Sequence, residues 1–136
     1  MSIDKIETER FHASFSIYSS RLDFEALKNG IGIVPTHSHN AGDLDFMKKP
    51  YEHDKWLLKS PLSPEETLNE HLKWLADQLK PYYDYLRLLK QQPDVYIYIY
   101  CGYTTETEQS SFSLSAEALS IFVDLNIGME LHVLAT

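Results

Sequence analysis

Between Asp94 and Tyr103 the apolar residues Val95, Ile97, Ile99 and Cys101 alternate with Tyr96, Tyr98 and Tyr100. That is the two-residue period of a β-strand with two unlike faces. Phe11, Ala13, Phe15 and Ile17 alternate in the same way with His12, Ser14, Ser16 and Tyr18, which predicts a second half-buried strand. Asp23 stands where a helix cap belongs, ahead of Phe24, Ala26 and Leu27, and Asn29-Gly30 is expected to supply the left-handed residue that ends this short helix. From Thr36 to Lys55 periodicity disappears, so a long surface loop is expected. Trp56-Leu57-Leu58 then reads as a short third strand with Trp56 in the core.

Ser63, Pro64 and Glu66 form the pattern of a capped helix start. Leu68, Leu72, Leu75, Leu79, Tyr82, Leu86 and Leu89 follow on one helical stripe, interrupted at Pro81, where a kink or restart is required. Beyond the tyrosine-bearing strand, Thr104 to Ser110 reads as a polar turn. Phe112 and Leu114, alternating with serines, read as a hairpin partner strand. Ser115 caps a helix carrying Ala118, Leu119, Phe122 and Leu125, Gly128 lets the chain turn, and Met129, Leu131, Val133 and Ala135 mark the last strand.

This order predicts an α+β protein with a single mostly antiparallel sheet and helices on one face. From the third element onward the order is that of ferredoxin-like folds, preceded by an N-terminal strand and helix. Phe15, Ile17, Leu72, Leu75, Leu79, Ile97, Ile99, Leu131 and Val133 are the expected shared core. The length of 136 residues suits one domain spanning 1–136.

Charge narrows the classes of function. Twelve lysines and arginines against 20 aspartates and glutamates give a formal charge of -8, which repels phosphate backbones and anionic lipid surfaces. No nucleic-acid partner is therefore expected. Met1 to Arg10 contains no apolar signal-like run, and no stretch approaches a membrane span, so a cytoplasmic location without membrane contact is expected. The single cysteine, Cys101, lies on the inward side of its strand and reads as a small core residue.

The 36–55 loop holds His37, His39, Asp43, Asp45, His53 and Asp54, residue types that ligate zinc or iron. No spacing among them specifies a ligand set, so no metal and no cofactor is expected. His71, one turn ahead of Leu75, is expected at a solvent edge or bonded to a carbonyl rather than acting as a base. Nucleophile elbow, phosphate loop, dinucleotide fingerprint and metalloprotease helix are all missing from the sequence. No catalytic residue is assigned.

The residues Asp23, Gly32-Ile33-Val34-Pro35-Thr36, Gly42-Asp43, Trp56-Leu57-Leu58 with Ser60, His71-Leu72, and Leu114-Ser115 with Glu117 form a set of turn and packing positions. With these residues the chain resembles, from about Phe11 to Ala135, the bacterial family catalogued as domain of unknown function 4279. The resemblance implies a small bacterial cytosolic protein and carries no catalytic residue with it.

Two functional expectations follow. The first is an interaction module, by analogy of the immunity or antitoxin-accessory kind, that uses the open face of the sheet for a protein partner or a homodimer. That face is expected to collect His12, Ser14, Ser16, Tyr18, Tyr96, Tyr98, Tyr100, Glu130 and His132, with Tyr18, Tyr96, Tyr98, Tyr100, His12 and His132 as binding residues. The alternative is a small-ligand protein or enzyme with a histidine-containing site between the 36–55 loop and the sheet, drawing on His12, His37, His39 or His132.

Overall fold

The computed structural model describes residues 9–106 and 111–135. Its strands are β1 (Arg10–Ser19), β2 (His37–His39), β3 (Asp54–Lys59), β4 (Tyr96–Thr105) and β5 (Gly128–Ala135). Its α-helices are α1 (Phe24–Gly30), α2 (Leu68–Leu79), α3 (Tyr83–Lys90) and α4 (Ala116–Leu125). The strands form one sheet in the order β2-β3-β1-β4-β5. All pairings are antiparallel except β4 with β5, which is parallel. The α+β class with one mostly antiparallel sheet stands.

The alternation in β1 and β4 sets the two faces. Phe15 lies opposite Ile99, and Ile17 opposite Ile97, and all four close the core with Trp56 and Leu58 of β3. The leucine stripe covers this face: Leu68, Leu72, Leu75, Leu79, Leu86 and Leu89 are buried. At Pro81 the helix passes through a single 3-10 turn, Lys80–Tyr82, before α3 restarts. A missing backbone donor requires such an interruption. Cys101 is fully buried in the core, and burial pushes its thiol up to about 12.

Several expectations need correction. The segment 111–115 is not a strand. Both edges of β4 are occupied, by β1 and by β5, so no ladder remains for a hairpin partner. Phe112 instead sets its ring against Phe11 at 5.7 Å and Tyr103 at 5.0 Å, and the Ser115 amide donates to the Asn69 side chain at 3.0 Å. The ferredoxin-like order therefore gives way to a parallel β4-α4-β5 crossover placed beside β1. The expected turn over 104–110 is shorter, because Thr104 and Thr105 belong to β4; 107–110 lie outside the described residues.

Leu131 and Val133 are not core residues: they are 40% and 58% exposed. Their strand is the sheet's outer edge, and α4 packs on α2 and α3 rather than over β5. The α2 cap is Thr67, whose hydroxyl accepts from the Glu70 amide at 3.2 Å; Ser63 and Glu66 close only a turn before it.

Neither Asn29 nor Gly30 supplies the left-handed residue expected at the end of α1. Gly30 instead lies under the Tyr85 ring: a Cβ there would sit 2.3 Å from it, so a larger residue would have to displace that side chain. At the end of α4 the left-handed residue is Asn126, with φ 53°, not Gly128. His71 is fully buried and pairs through Nδ1 with the Ser60 hydroxyl at 2.8 Å.

Candidate functional site

The helices cover one face of the sheet, and the cross-strand register assembles the other. Ser14 stands opposite Tyr100, Ser16 opposite Tyr98, and Tyr18 opposite Tyr96. In β5, Glu130 aligns with Tyr100 and His132 with Gly102. All the binding residues expected from the sequence thus share the outward face by register. They do not form one cluster.

Tyr18 is the centre of the first group. Its ring stacks on Tyr96 at 5.2 Å and meets Tyr98 edge-on at 5.5 Å and His53 edge-on at 5.6 Å. Burial pushes the Tyr18 hydroxyl up, helped by Tyr98, Tyr96 and Glu130, so this phenol stays a neutral donor. Beneath the rings Ser16 is 1% exposed, between Leu57 and Tyr98 in register. The second group is Tyr100 and His132, with ring centroids 4.8 Å apart. His12 stands near them, opposite Gly102. Burial holds its imidazole below the ordinary value, helped by Lys59 and Arg10.

The 36–55 segment is more ordered than its composition suggested. It contains β2, which places His37 and His39 on the outward side, opposite Leu57 and Lys55. An extended segment sends residues two apart the same way, and the two imidazoles bond at 2.9 Å. His39 also stacks face to face on Tyr51, centroids 3.5 Å apart and planes 6° apart. Burial lowers the His39 pKa, with His37 and Lys55 adding to the fall.

Asp54 ties this segment to the sheet. Its buried carboxylate accepts from the Leu22 amide at 2.8 Å and the Ala41 amide at 2.6 Å. Burial pushes its pKa up, but these amides and the Asn40 side chain outweigh burial and hold the carboxyl below its ordinary range.

As a result Tyr18, His39, Tyr51, His53, Lys55 and Tyr98 line one groove of about 240 Å³. A larger one of about 640 Å³ runs past Tyr18, Tyr96 and Tyr98 to Lys90, Met129 and Glu130. The two grooves meet at Tyr18 and Tyr98. Among the described residues no three His, Cys, Asp or Glu side chains converge as metal ligands. Nothing in the hydrophobic pattern of the sequence marks Tyr51, Lys55 or Lys90. The first two lie in or beside an aperiodic stretch, and Lys90 is the last residue of α3, so periodicity offered no signal for any of them.

A family model described as Domain of unknown function (DUF4279) matches residues 9–136. The chain belongs to that family. No curated protein and no solved structure matches it. Family membership adds no assigned chemistry to the DUF4279 chain, and the tyrosine face stands on its own geometry. No helix among the described residues is long and apolar enough to cross a membrane.

Proposed function

We propose that the tyrosine face binds a protein partner and that this DUF4279 chain works as a binding module rather than a catalyst. The observation that carries this reading is the ring cluster of His53, Tyr18, Tyr96 and Tyr98 at the junction of two grooves, on the face left open by the helices. Tyrosine rings present large apolar area with little rotamer freedom, and each hydroxyl offers a hydrogen bond at the rim. Cys101 and His71 are fully buried and reach neither groove. Paired capture from a bacterial lysate with the wild type and the Tyr96→Ala, Tyr98→Ala variant tests the reading. It requires a stoichiometric protein that the wild type retains and the variant loses.

One observation favours a second reading. The smaller groove brings His39, His53, Lys55 and the Glu52 carboxylate beside the Tyr18 and Tyr98 rings, a combination that suits a planar polar small molecule. A ligand co-purifying with the wild type and lost from Lys55→Ala would favour it over the protein partner.

A further inference from the structure

Strand β5 ends the sheet. It is hydrogen-bonded to β4 on one side and, among the described residues, to no strand on the other, and every residue from Gly128 to Ala135 is exposed. Edge strands are usually guarded by proline, lysine, a bulge or a covering element. Here there is no proline, lysine or arginine in Gly128–Ala135. The helix side of the strand presents Met129, Leu131 and Val133 at 41%, 40% and 58% exposure. Its outward side carries Glu130 and His132, whose side chains stand 3.7 Å apart.

This edge is complementary to itself. In an antiparallel pair, residues directly opposite must point to the same face, which restricts the possible registers to alternate ones. A two-fold axis through Leu131 sets Leu131 against its own copy and Met129 against Val133. On the outward face it sets Glu130 of each copy against His132 of the other, and it does so twice. Shifting the axis to Glu130 opposes two carboxylates. Shifting it to His132 opposes two imidazoles and leaves Glu130 facing Leu134. Only the Leu131 register joins acid to base and apolar to apolar at once.

We propose that two copies of this chain pair through β5 in that register. The five-stranded sheets then become one continuous sheet, with both helical layers on one side and both tyrosine faces on the other. The contact is isologous and closes after one two-fold rotation.

Sedimentation equilibrium over a concentration series, with cysteine cross-linking, tests the pairing and its register. Wild type is expected to be a dimer, and Leu131→Lys, which sets two ammonium groups against each other, a folded monomer whose cooperative melt no longer depends on protein concentration. His132→Glu should weaken the dimer about tenfold, and adding Glu130→Lys should restore it. Leu131→Cys should form a disulfide-linked dimer under mild oxidation, because opposed residues lie within the Cα separation that a disulfide spans. Val133→Cys should not, and the native Cys101 is buried. Tyr96→Ala with Tyr98→Ala should remain dimeric, which separates this contact from partner binding. A wild type that is monomeric throughout would overturn the proposal. So would a dimer untouched by Leu131→Lys, or cross-linking of Val133→Cys as fast as of Leu131→Cys. If Leu131→Lys fails to fold, the cysteine pair and the charge exchange decide.

Discussion

Tyr18 and Tyr96 stand directly opposite each other in the β1–β4 register, and their rings stack at 5.2 Å with planes 22° apart. The contact holds two amphipathic rings in fixed positions although Tyr96 is 53% exposed. Ring pairs of this kind contribute roughly 0.5–1.5 kcal/mol beyond burial. A double-mutant cycle with Tyr18→Ala and Tyr96→Ala should therefore return coupling of about that size in urea denaturation. Strictly additive losses would mean that the rings do not support one another.

Ile99 is fully buried opposite Phe15. Ile99→Asp places an unpaired carboxylate there, at a cost of several kcal/mol, roughly the whole stability of a small domain. The variant is expected to lose its cooperative melt by circular dichroism. A folded Ile99→Asp protein would contradict the assignment of this face to the core.

Asp54 is the link between the 36–55 segment and the sheet. Asp54→Ala leaves the Leu22 and Ala41 amides without their acceptor, which should cost about 2–4 kcal/mol. It should also speed hydrogen exchange over 37–53 more than in the core strands. Equal protection of that segment in wild type and variant would show that the carboxylate does not hold the groove together.

Burial holds the His71 imidazole below its ordinary 6.5, partly opposed by the Ser63 backbone and aided by His12. The unfolded chain therefore takes the proton first as pH falls. The His71 contribution is complete above about pH 6.5 and is lost on acidification below it. His12 and His39 shift in the same direction. Melting temperature should fall between about pH 7.5 and pH 5.5, and His71→Gln, which does not titrate, should fall less. Parallel pH profiles for the two proteins would rule His71 out as a source of the loss.

Strict alternation made β1 and β4 legible, together with the face carrying Tyr18, Tyr96, Tyr98 and Tyr100. The leucine stripe made the helical layer legible, and Asp23 and Ser115 cap their helices as expected, accepting from Ala26 and Ala118. Alternation was ambiguous where tertiary context decides. Phe112 and Leu114 have a strand's pattern but pack a connection against the core. Met129, Leu131 and Val133 have the pattern of a buried strand, yet the described residues leave them exposed, and a pattern of apolar positions does not report whether a second layer exists. The loop side of the site depends on contacts such as Asp54 to Leu22, 32 residues apart. Local sequence carries no trace of them.

Binding through the tyrosine face is tested most directly by the dissociation constant of a captured protein partner for the wild type and for the Tyr96→Ala, Tyr98→Ala variant. A tyrosine at a desolvated interface centre typically contributes on the order of 2 kcal/mol. Losing two should therefore weaken binding about a thousandfold or abolish it, with the melting temperature little changed. Val123→Ala, on the exposed side of α4 at 78% exposure, should bind like the wild type. Unchanged affinity in the tyrosine variant would contradict binding through this face.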